Sequence, residues 1–172
     1  YGLTETGPTH YDNPLKEGWN PGSIGVSLPH INCKVVDNNL NEVEPNQVGE
    51  IFISGSLPFC GYFKNKDATN NIFEGNFLKT GDLGYKNQKG IYFYIDRKKD
   101  IIIKGGQNIC PGEIDEILTK HPSVCEASTI GVFDRIFEEN AVSFVVTNGN
   151  VEKKELFDFF LNESEKSKCP KE

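Results

Sequence analysis

A charged segment in the middle of this 172-residue chain constrains its fold more than any other feature. The segment, Asp-Arg-Lys-Lys-Asp at residues 96–100, lies between two apolar runs. In the run before it, residues 91–95, aliphatic side chains or Phe alternate with Tyr, which is typical of a strand. The run after it is three isoleucines at residues 101–103. Because charged side chains are rarely buried, a core is not expected to continue through this segment, and we expect the chain to divide near residue 99.

The residues before the charged segment predict strands separated by turns. Residues 1–30 are rich in Gly, Pro, Thr and Asn, so a loop is expected over most of them. Further along, β-branched and alternating runs predict strands at residues 34–36, 49–55 and 91–95. Turn-forming residues separate these strands at residues 37–39, 70–71 and 87–90. This spacing predicts a small antiparallel sheet or a distorted barrel.

The residues after the charged segment mix helical and strand patterns. A helix is expected from Pro111, because proline suits a first helical turn and Ile114, Ile117 and Leu118 recur at helical spacing. The other expected elements are strands at residues 101–103, 127–132 and 141–147, a turn at residues 134–140, and a helix at residues 151–161 with Asn150 as its N-cap. The predicted fold class is therefore α+β: a small antiparallel, β-barrel-like subdomain followed by a small α+β domain.

Composition argues against several classes of function. The formal net charge of −7 argues against nucleic acid as a partner. No apolar run approaches the roughly 20 residues that a membrane-spanning helix needs. The five cysteines form no Cys-x-x-Cys pair and the three histidines are far apart, so the sequence indicates neither a redox motif nor a metal cluster. Widely spaced thiols indicate a reducing compartment, and we expect the protein to be cytoplasmic.

The chain contains no methionine and begins at Tyr1. Because an unprocessed translation product begins with methionine, we expect the sequence to be a piece of a longer protein. The alternative is a small processed protein that lacks methionine.

Three short motifs carry groups that bind phosphate, ribose or a cation. Tyr-Gly-Leu-Thr-Glu at residues 1–5 combines a glycine turn, a hydroxyl and a carboxylate, which suit a phosphate and its Mg²⁺. Thr-Gly-Asp at residues 80–82 ends in a carboxylate that can accept hydrogen bonds from both hydroxyls of a ribose. Arg97 has a fork of donors that can bridge a ribose hydroxyl and a phosphate. Taken singly, these motifs are better explained by a strand entering a turn, a turn, and a surface ion pair.

A fourth motif follows the charged segment. Residues 104–114, Lys-Gly-Gly-Gln-Asn-Ile-Cys-Pro-Gly-Glu-Ile, place two glycines and a polar pair between a strand and a helix. The backbone of such a loop can approach a ligand closely. Neither the Gly-x-Gly-x-x-Gly fingerprint of dinucleotide-binding folds nor the Gly-Lys-Ser/Thr phosphate loop is present.

In their order and spacing, the four motifs resemble the adenylate-forming superfamily, which includes acyl-CoA synthetases, peptide-synthetase adenylation domains and firefly-type luciferases. The resemblance covers nearly the whole chain and extends to residues 22–25, 49–51, 61–63 and 121–124. The loop at residues 105–111 resembles the ligase form, so the implied activity is that of an acyl-CoA synthetase rather than of a peptide-synthetase adenylation domain. A luciferase-like enzyme or a fatty acyl-AMP ligase is the less favoured alternative. Such an enzyme uses ATP, Mg²⁺ and coenzyme A, and its substrate is a small-molecule carboxylic acid.

The resemblance implies a role for each matched residue. For the nucleotide, the resemblance implies that Tyr1 lies against adenine, Thr4 contacts a phosphate, Glu5 helps hold Mg²⁺, Asp82 binds the ribose hydroxyls and Arg97 approaches ribose and phosphate. It implies that Lys99 is a hinge between two half-reactions. Gly105 and Gly106 would line the tunnel for the pantetheine of CoA.

The resemblance also implies domain limits and departures. Residues 1–98 correspond to the end of the large AMP-binding domain, and residues 99–172 to a mobile C-terminal domain that is incomplete at its end. In this family the phosphate-binding loop and most of the acyl pocket precede the Tyr-Gly-x-Thr-Glu motif, and the adenylation lysine lies further downstream. The fragment is therefore expected to be inactive on its own. The alternative hypothesis is a non-catalytic ligand-binding or interaction module that keeps half of a nucleotide site.

Overall fold

The computed structural model describes residues 1–12, 20 and 22–171. Within it the chain forms two compact units, Tyr1–Lys98 and Lys99–Glu172. Each unit has its own antiparallel sheet and its own cluster of buried apolar side chains. The predicted α+β class is confirmed, with a curled antiparallel sheet followed by a small α+β unit.

The first unit is built almost entirely from strands. Its elements are β1 (Gly2–Leu3), β2 (Gly7–Pro8), β3 (His10–Tyr11), β4 (Ser23–Ser27), β5 (Ile31–Val36), β6 (Gly49–Gly55), α1 (Lys66–Ile72), β7 (Phe73–Glu74), β8 (Phe77–Lys86) and β9 (Tyr92–Arg97). The main sheet has the order β3-β4-β9-β8-β6-β5, β7 pairs with β8, and β1 pairs with β2 in a small separate ribbon.

Strand β6 supplies the centre of the first core. Glycines bracket it on both sides, as the sequence predicts, and Ile51 and Ile53 are completely buried. These two isoleucines pack with Ile31 of β5 and with the partly buried ring of Tyr1. Burying an isoleucine stabilises a fold by roughly 1.5–3 kcal/mol. The ring of Tyr1 is thereby attached to the core of the unit.

The motif at residues 80–82 is a bulge within β8 rather than a turn between strands. Glu50 is paired with Leu83 and Phe52 with Lys79, so β8 uses two more residues than β6 over this stretch. Gly81 adopts a left-handed φ of 72°, which a residue without a Cβ tolerates easily. The bulge bends the strand and changes the direction of the Asp82 side chain.

The second unit packs two helices against a smaller sheet. Its elements are β10 (Ile102–Lys104), β11 (Gln107–Ile109), α2 (Pro111–Thr119), β12 (Val124–Asp134), β13 (Glu138–Thr147), α3 (Lys153–Glu163) and a 3₁₀ turn (Lys166–Lys168). The sheet order is β11-β10-β13-β12. The predicted apolar face of α2 is buried as expected, and Phe160 of α3 is the largest buried side chain in this core.

Gly105 and Gly106 form the two-residue turn of the hairpin between β10 and β11. Their φ angles are 56° and 81°, the left-handed pair that a type I′ turn requires. The predicted break after Ile103 is thus a tight reversal, and Gln107–Ile109 returns as a strand instead of continuing as a loop.

We expect Gly106→Ala to destabilise the chain by about 1 kcal/mol, because alanine is strained in the left-handed region. The free energy of unfolding in urea measures this loss. Gly149→Ala is the matched control, since Gly149 has no left-handed φ and a Cβ there would meet nothing within 4 Å. Equal stability of the two variants would contradict the assigned turn.

Several local expectations are wrong. The predicted turn at residues 70–71 lies inside α1, because the side chain of Asn65 caps this helix by accepting a hydrogen bond from the backbone N–H of Ala68 at 3.0 Å. The expected loop at residues 1–30 contains β1 to β4, which pair with one another and with β9; residues 13–19 and 21 lie outside the described residues. Helix α3 begins at Lys153 with Glu152 as its N-cap, not with Asn150.

The turn between β12 and β13 is shorter than predicted. The carboxylate of Asp134 accepts backbone hydrogen bonds from Ile136 and Phe137 at 2.8 and 3.1 Å, and these bonds hold its pKa below the usual range. Because this contact closes a tight turn, the charged residues from Glu138 onward join β13.

Candidate nucleotide-binding site

An open cleft of about 530 Å³ lies in the first unit. Its lining comes from the start of the chain, from the residues around β4, and from β8 and β9. We call it the Asp82 cleft; its lining residues are Tyr1, Gly2, Leu3, Asp12, Gly22, Ser23, Ile24, Asp82, Tyr94 and Arg97. Three residues with predicted nucleotide contacts, Tyr1, Asp82 and Arg97, therefore lie together.

The carboxylate of Asp82 is the centre of this cleft. The phenolic hydroxyl of Tyr1 donates a hydrogen bond of 2.5 Å to Oδ2, and Nε of Arg97 lies 3.0 Å from Oδ1. The side chain of Asp82 is only 2% exposed, whereas that of Arg97 is 46% exposed. Despite the ion pair, Oδ1 accepts no aligned hydrogen bond from any residue that the structure describes. A buried carboxylate oxygen in this state has unused accepting capacity.

Pairing within the sheet places Asp82 opposite Arg97. The two residues are direct partners of β8 and β9, and the backbone N–H of Lys98 donates to the carbonyl of Gly81 at 2.8 Å. Side by side on neighbouring strands, two Cβ atoms are about 5 Å apart, within reach of an ion pair. The hairpin of β8 and β9 therefore fixes the pair without help from a flexible loop.

Tyr1 is held by the polar and aromatic residues that follow it. The backbone N–H groups of Thr9 and His10 both donate to the carbonyl of Tyr1, and the ring of His10 contacts the rings of Tyr1 and Tyr92 edge-on. Burial, followed by the hydrogen bond to Asp82, raises the pKa of the Tyr1 phenol. The hydroxyl therefore stays protonated at neutral pH and acts as a donor to the carboxylate.

Burial lowers the pKa of His10 from 6.5 to about 4. The folded state therefore binds fewer protons than the unfolded state between these values, and stability falls as the pH decreases from about 6.5 to 4. We expect a loss of about 2 kcal/mol from this group, measured by urea unfolding at pH 7 and at pH 4.5. His10→Gln should remove that part of the slope, whereas His30→Gln, at an exposed histidine, should not. Equal slopes in both variants would contradict the prediction.

Thr4 and Glu5 lie on the turn between β1 and β2 and do not line the Asp82 cleft. Thr4 is exposed. Oε1 of Glu5 accepts a hydrogen bond of 2.8 Å from the hydroxyl of Tyr62, and this bond raises the pKa of Tyr62. The predicted phosphate and Mg²⁺ residues are therefore not among the lining residues of the cleft that holds the predicted ribose residue, although all belong to the same unit.

The remaining predicted site residues belong to the second unit. Lys99 is its first residue and is exposed. Gly105 and Gly106 form the hairpin turn described above, and the N–H of Gly105 donates to the carbonyl of Phe137 at 2.7 Å. Their roles as a hinge and as a CoA tunnel remain predictions.

Sequence reasoning missed three polar residues of the cleft. Tyr94 follows the buried Tyr92 on β9 and is partly exposed, and the hydroxyl of Ser23 donates to the carboxylate of Asp12. The alternating residues of β9 predicted a strand, but they did not predict which side of the sheet carries Tyr94. For Asp12 the sequence offers no signal, because its contact depends on the pairing of β3 with β4.

A metal site and a membrane-spanning helix each require a particular arrangement of the described residues. Among the described residues, no group of three or more His, Cys, Asp or Glu side chains is arranged to hold a metal ion. No helix in the described part of the chain is both long and apolar enough to cross a membrane.

Comparison with known proteins identifies the family. The model of the AMP-binding enzyme family matches residues 1–63. The chain is 38% identical over 146 residues to a long-chain-fatty-acid–CoA ligase of Escherichia coli O6:H1, and 39% identical over 150 residues to a 2-succinylbenzoate–CoA ligase of Bacillus mycoides. These matches cover 85% and 87% of the chain but only 26% and 31% of the two relatives.

Solved structures agree with this assignment. ATP-bound MatB from Rhodopseudomonas palustris matches 99% of the chain and 35% of its own length, with a TM-score of 0.92 and 31% identity. O-succinylbenzoate CoA synthetase (MenE) from Bacillus subtilis, in complex with ATP and magnesium ion, matches 87% of the chain and 31% of its own length, with a TM-score of 0.80 and 34% identity. The chain belongs to the adenylate-forming superfamily of AMP-binding enzymes. It spans about a quarter to a third of the length of these relatives.

Proposed function

We propose that the natural protein containing this chain is an AMP-forming acid–thiol ligase, an acyl-CoA synthetase. It adenylates a carboxylic acid with ATP and transfers the acyl group to CoA. Tyr1–Lys98 is the end of its large AMP-binding domain, and Lys99–Glu172 is its mobile C-terminal domain. The observation that carries this proposal is the grouping of Tyr1, Asp82 and Arg97 around one open cleft, with the carboxylate of Asp82 paired to both of the other side chains.

The residues of the Asp82 cleft fit the ribose of ATP. A ribose offers two neighbouring hydroxyl donors, and a carboxylate with two oxygens accepts from both. Oδ1 of Asp82 is the oxygen that lacks an aligned donor. Nε of Arg97 lies against Asp82 in the ion pair, and the side chain is nearly half exposed, so its guanidinium can also reach ribose or phosphate oxygens in the cleft. The ring of Tyr1 forms one wall against which adenine packs.

The fit of Thr4 and Glu5 to the phosphates and Mg²⁺ rests on fewer contacts than the fit of the Asp82 cleft to ribose. Magnesium is commonly held by one or two carboxylates together with water and substrate phosphates, so a single glutamate is a sufficient protein ligand. One oxygen of Glu5 accepts from Tyr62, which leaves the second oxygen for a cation. When bound, Mg²⁺ supplies positive charge that stabilises negative charge on the phosphates.

The proposed reaction has two balanced steps. In the first, a carboxylate oxygen of the acid bonds to the α-phosphorus of ATP, and pyrophosphate leaves. In the second, the thiol of CoA bonds to the acyl carbon, its proton is lost, and AMP leaves. Lys99 serves as the hinge between the two steps, and the turn at Gly105 and Gly106 lines the approach of pantetheine.

The acid itself is not specified by the described residues. The relatives act on acids as different as a long-chain fatty acid and 2-succinylbenzoate, according to their names. We therefore propose a small-molecule carboxylic acid as the substrate class. The five cysteines are free thiols, which agrees with the reducing cytoplasm that we propose as the location.

Release of AMP by the natural protein tests this proposal. ATP and Mg²⁺ are supplied with a panel of short, long-chain and aromatic acids, each with and without CoA. We expect AMP release that requires both an acid and CoA, with formation of the matching thioester. A protein that binds ATP but releases no AMP with any acid would favour the non-catalytic module instead.

A further inference from the structure

Glu50 contacts the Asp82 bulge from the neighbouring strand, although it does not line the cleft. It lies on β6, and its side chain is 13% exposed. Oε1 accepts a hydrogen bond of 3.2 Å from the backbone N–H of Gly81, and Oε2 lies 2.9 Å from Nζ of Lys98. One carboxylate thus contacts the residue before Asp82 and the residue after Arg97.

These contacts form a closed ring. The backbone N–H of Lys98 donates to the carbonyl of Gly81 at 2.8 Å, so Glu50, Gly81 and Lys98 are each joined to the other two. We call this set the Glu50 ring. Lys98 is also the last residue of the first unit. The ring therefore holds both strands of the Asp82–Arg97 pair at the point where the pair forms.

The bulge explains why a side-chain acceptor is needed. Extra residues in β8 oppose Ile51 of β6, so backbone groups of the bulge lose their regular ladder partners. The hydroxyl of Thr80 makes two replacement hydrogen bonds: it donates to the carbonyl of Ile51 on β6 and accepts from the N–H of Asp82 in the bulge. The carboxylate of Glu50 accepts a hydrogen bond from the N–H of Gly81. The side chains therefore replace the missing ladder bonds.

We propose that Glu50 is a positioning residue for the nucleotide site. By fixing Gly81 and Lys98, it keeps the carboxylate of Asp82 and the guanidinium of Arg97 in the geometry that accepts a ribose. This inference rests on the proposed function of the Asp82 cleft. The hydrogen bond to Gly81 is the important part, because Lys98 is 48% exposed and an ion pair at such a position contributes little.

Steady-state kinetics of the natural protein separate this role from general stability. We expect Glu50→Ala to raise the KM for ATP by about tenfold with little change in kcat, since ribose contacts are lost equally before and during the reaction. Glu50→Gln keeps an amide oxygen for Gly81 and should stay within about threefold of the parent. Glu50→Asp keeps the charge but shortens the reach, and should raise the KM about fivefold.

The matched control is Glu42→Ala. Glu42 also pairs with a lysine of the same unit, Lys86 at the end of β8, at 3.3 Å, but it does not contact the bulge. We expect its KM for ATP to stay within about twofold of the parent. Amide hydrogen exchange at Gly81 and Lys98 gives a second measurement, and both amides should exchange faster in Glu50→Ala and Glu50→Asp.

The outcomes distinguish this inference from the proposed function. If Asp82→Ala raises the KM for ATP but Glu50→Ala and Glu50→Asp match the Glu42→Ala control, the positioning role is wrong and the nucleotide site stands. Faster amide exchange with an unchanged KM also overturns the positioning role, leaving Glu50 with a structural one. If Asp82→Ala too leaves the KM unchanged, the assignment of the cleft fails together with this inference.

Discussion

In the natural protein, Asp82→Ala is expected to raise the KM for ATP by about a hundredfold. Each charge-assisted hydrogen bond contributes about 1.5–3 kcal/mol, so losing the acceptor for two ribose hydroxyls costs about 3 kcal/mol or more. Because the ribose does not react, kcat should change much less than the KM. The measurement is the initial rate of AMP release over a range of ATP concentrations.

Two further variants test whether a change in the KM for ATP comes from the lost carboxylate of Asp82. Asp82→Asn preserves the volume and one accepting oxygen, so its KM should lie between those of the parent and Asp82→Ala. Asp67→Ala removes an exposed aspartate of α1 and should leave the KM unchanged. An Asp82→Ala enzyme with the parent's KM and kcat would contradict the ribose assignment.

The isolated 172-residue chain is expected to catalyse no measurable exchange of pyrophosphate with ATP. It spans between 26% and 36% of the length of the relatives it matches. The resemblance to the family implies that the phosphate-binding loop, most of the acyl pocket and the adenylation lysine all lie outside it. Since removing one positioned donor costs about 10²–10³ in rate, the loss of three elements should leave nothing detectable.

The exchange assay is run on the purified chain with short, medium and aromatic acids, and the natural protein serves as the positive control. A rate equal to that of the blank without enzyme is expected for every acid. Exchange above the blank that disappears with Asp82→Ala would show that the chain carries a complete adenylation site.

The sequence predicted those elements whose signal is local. Strand β6 was predictable because glycines bracket a β-branched run, and α2 was predictable because Pro111 precedes an apolar stripe at helical spacing. Helix α1 was not, since Asn70 and Asn71 favour turns and the helix depends on capping by Asn65. Strand β4 was missed because its stability comes from pairing with β3 and β9, which no short window contains.

The same distinction applies to the candidate site. Asp82 and Arg97 could be selected as candidate residues because their motifs are short and ordered, and the structure places the two residues on paired strands. Glu50 could not be assigned a role, because its contact with Gly81 joins residues 31 positions apart and depends on the register around a bulge. The position of Glu5 against Tyr62, 57 residues away, likewise follows from tertiary packing.

The sequence separation of the contacts around Asp82 also bears on the order in which the cleft forms. Asp82 and Arg97 come from one hairpin, whereas the hydroxyl that donates to Oδ2 of Asp82 belongs to Tyr1, 81 residues earlier. Closing a short loop costs less entropy than closing a long one, so we expect the Asp82–Arg97 pair to form before Tyr1 packs against it. During translation, Tyr1 is synthesised well before β8 and β9. A nascent chain stalled before residue 97 therefore lacks the Arg97 partner of Asp82, and the proposed ribose site can form only after β9 has left the ribosomal exit tunnel.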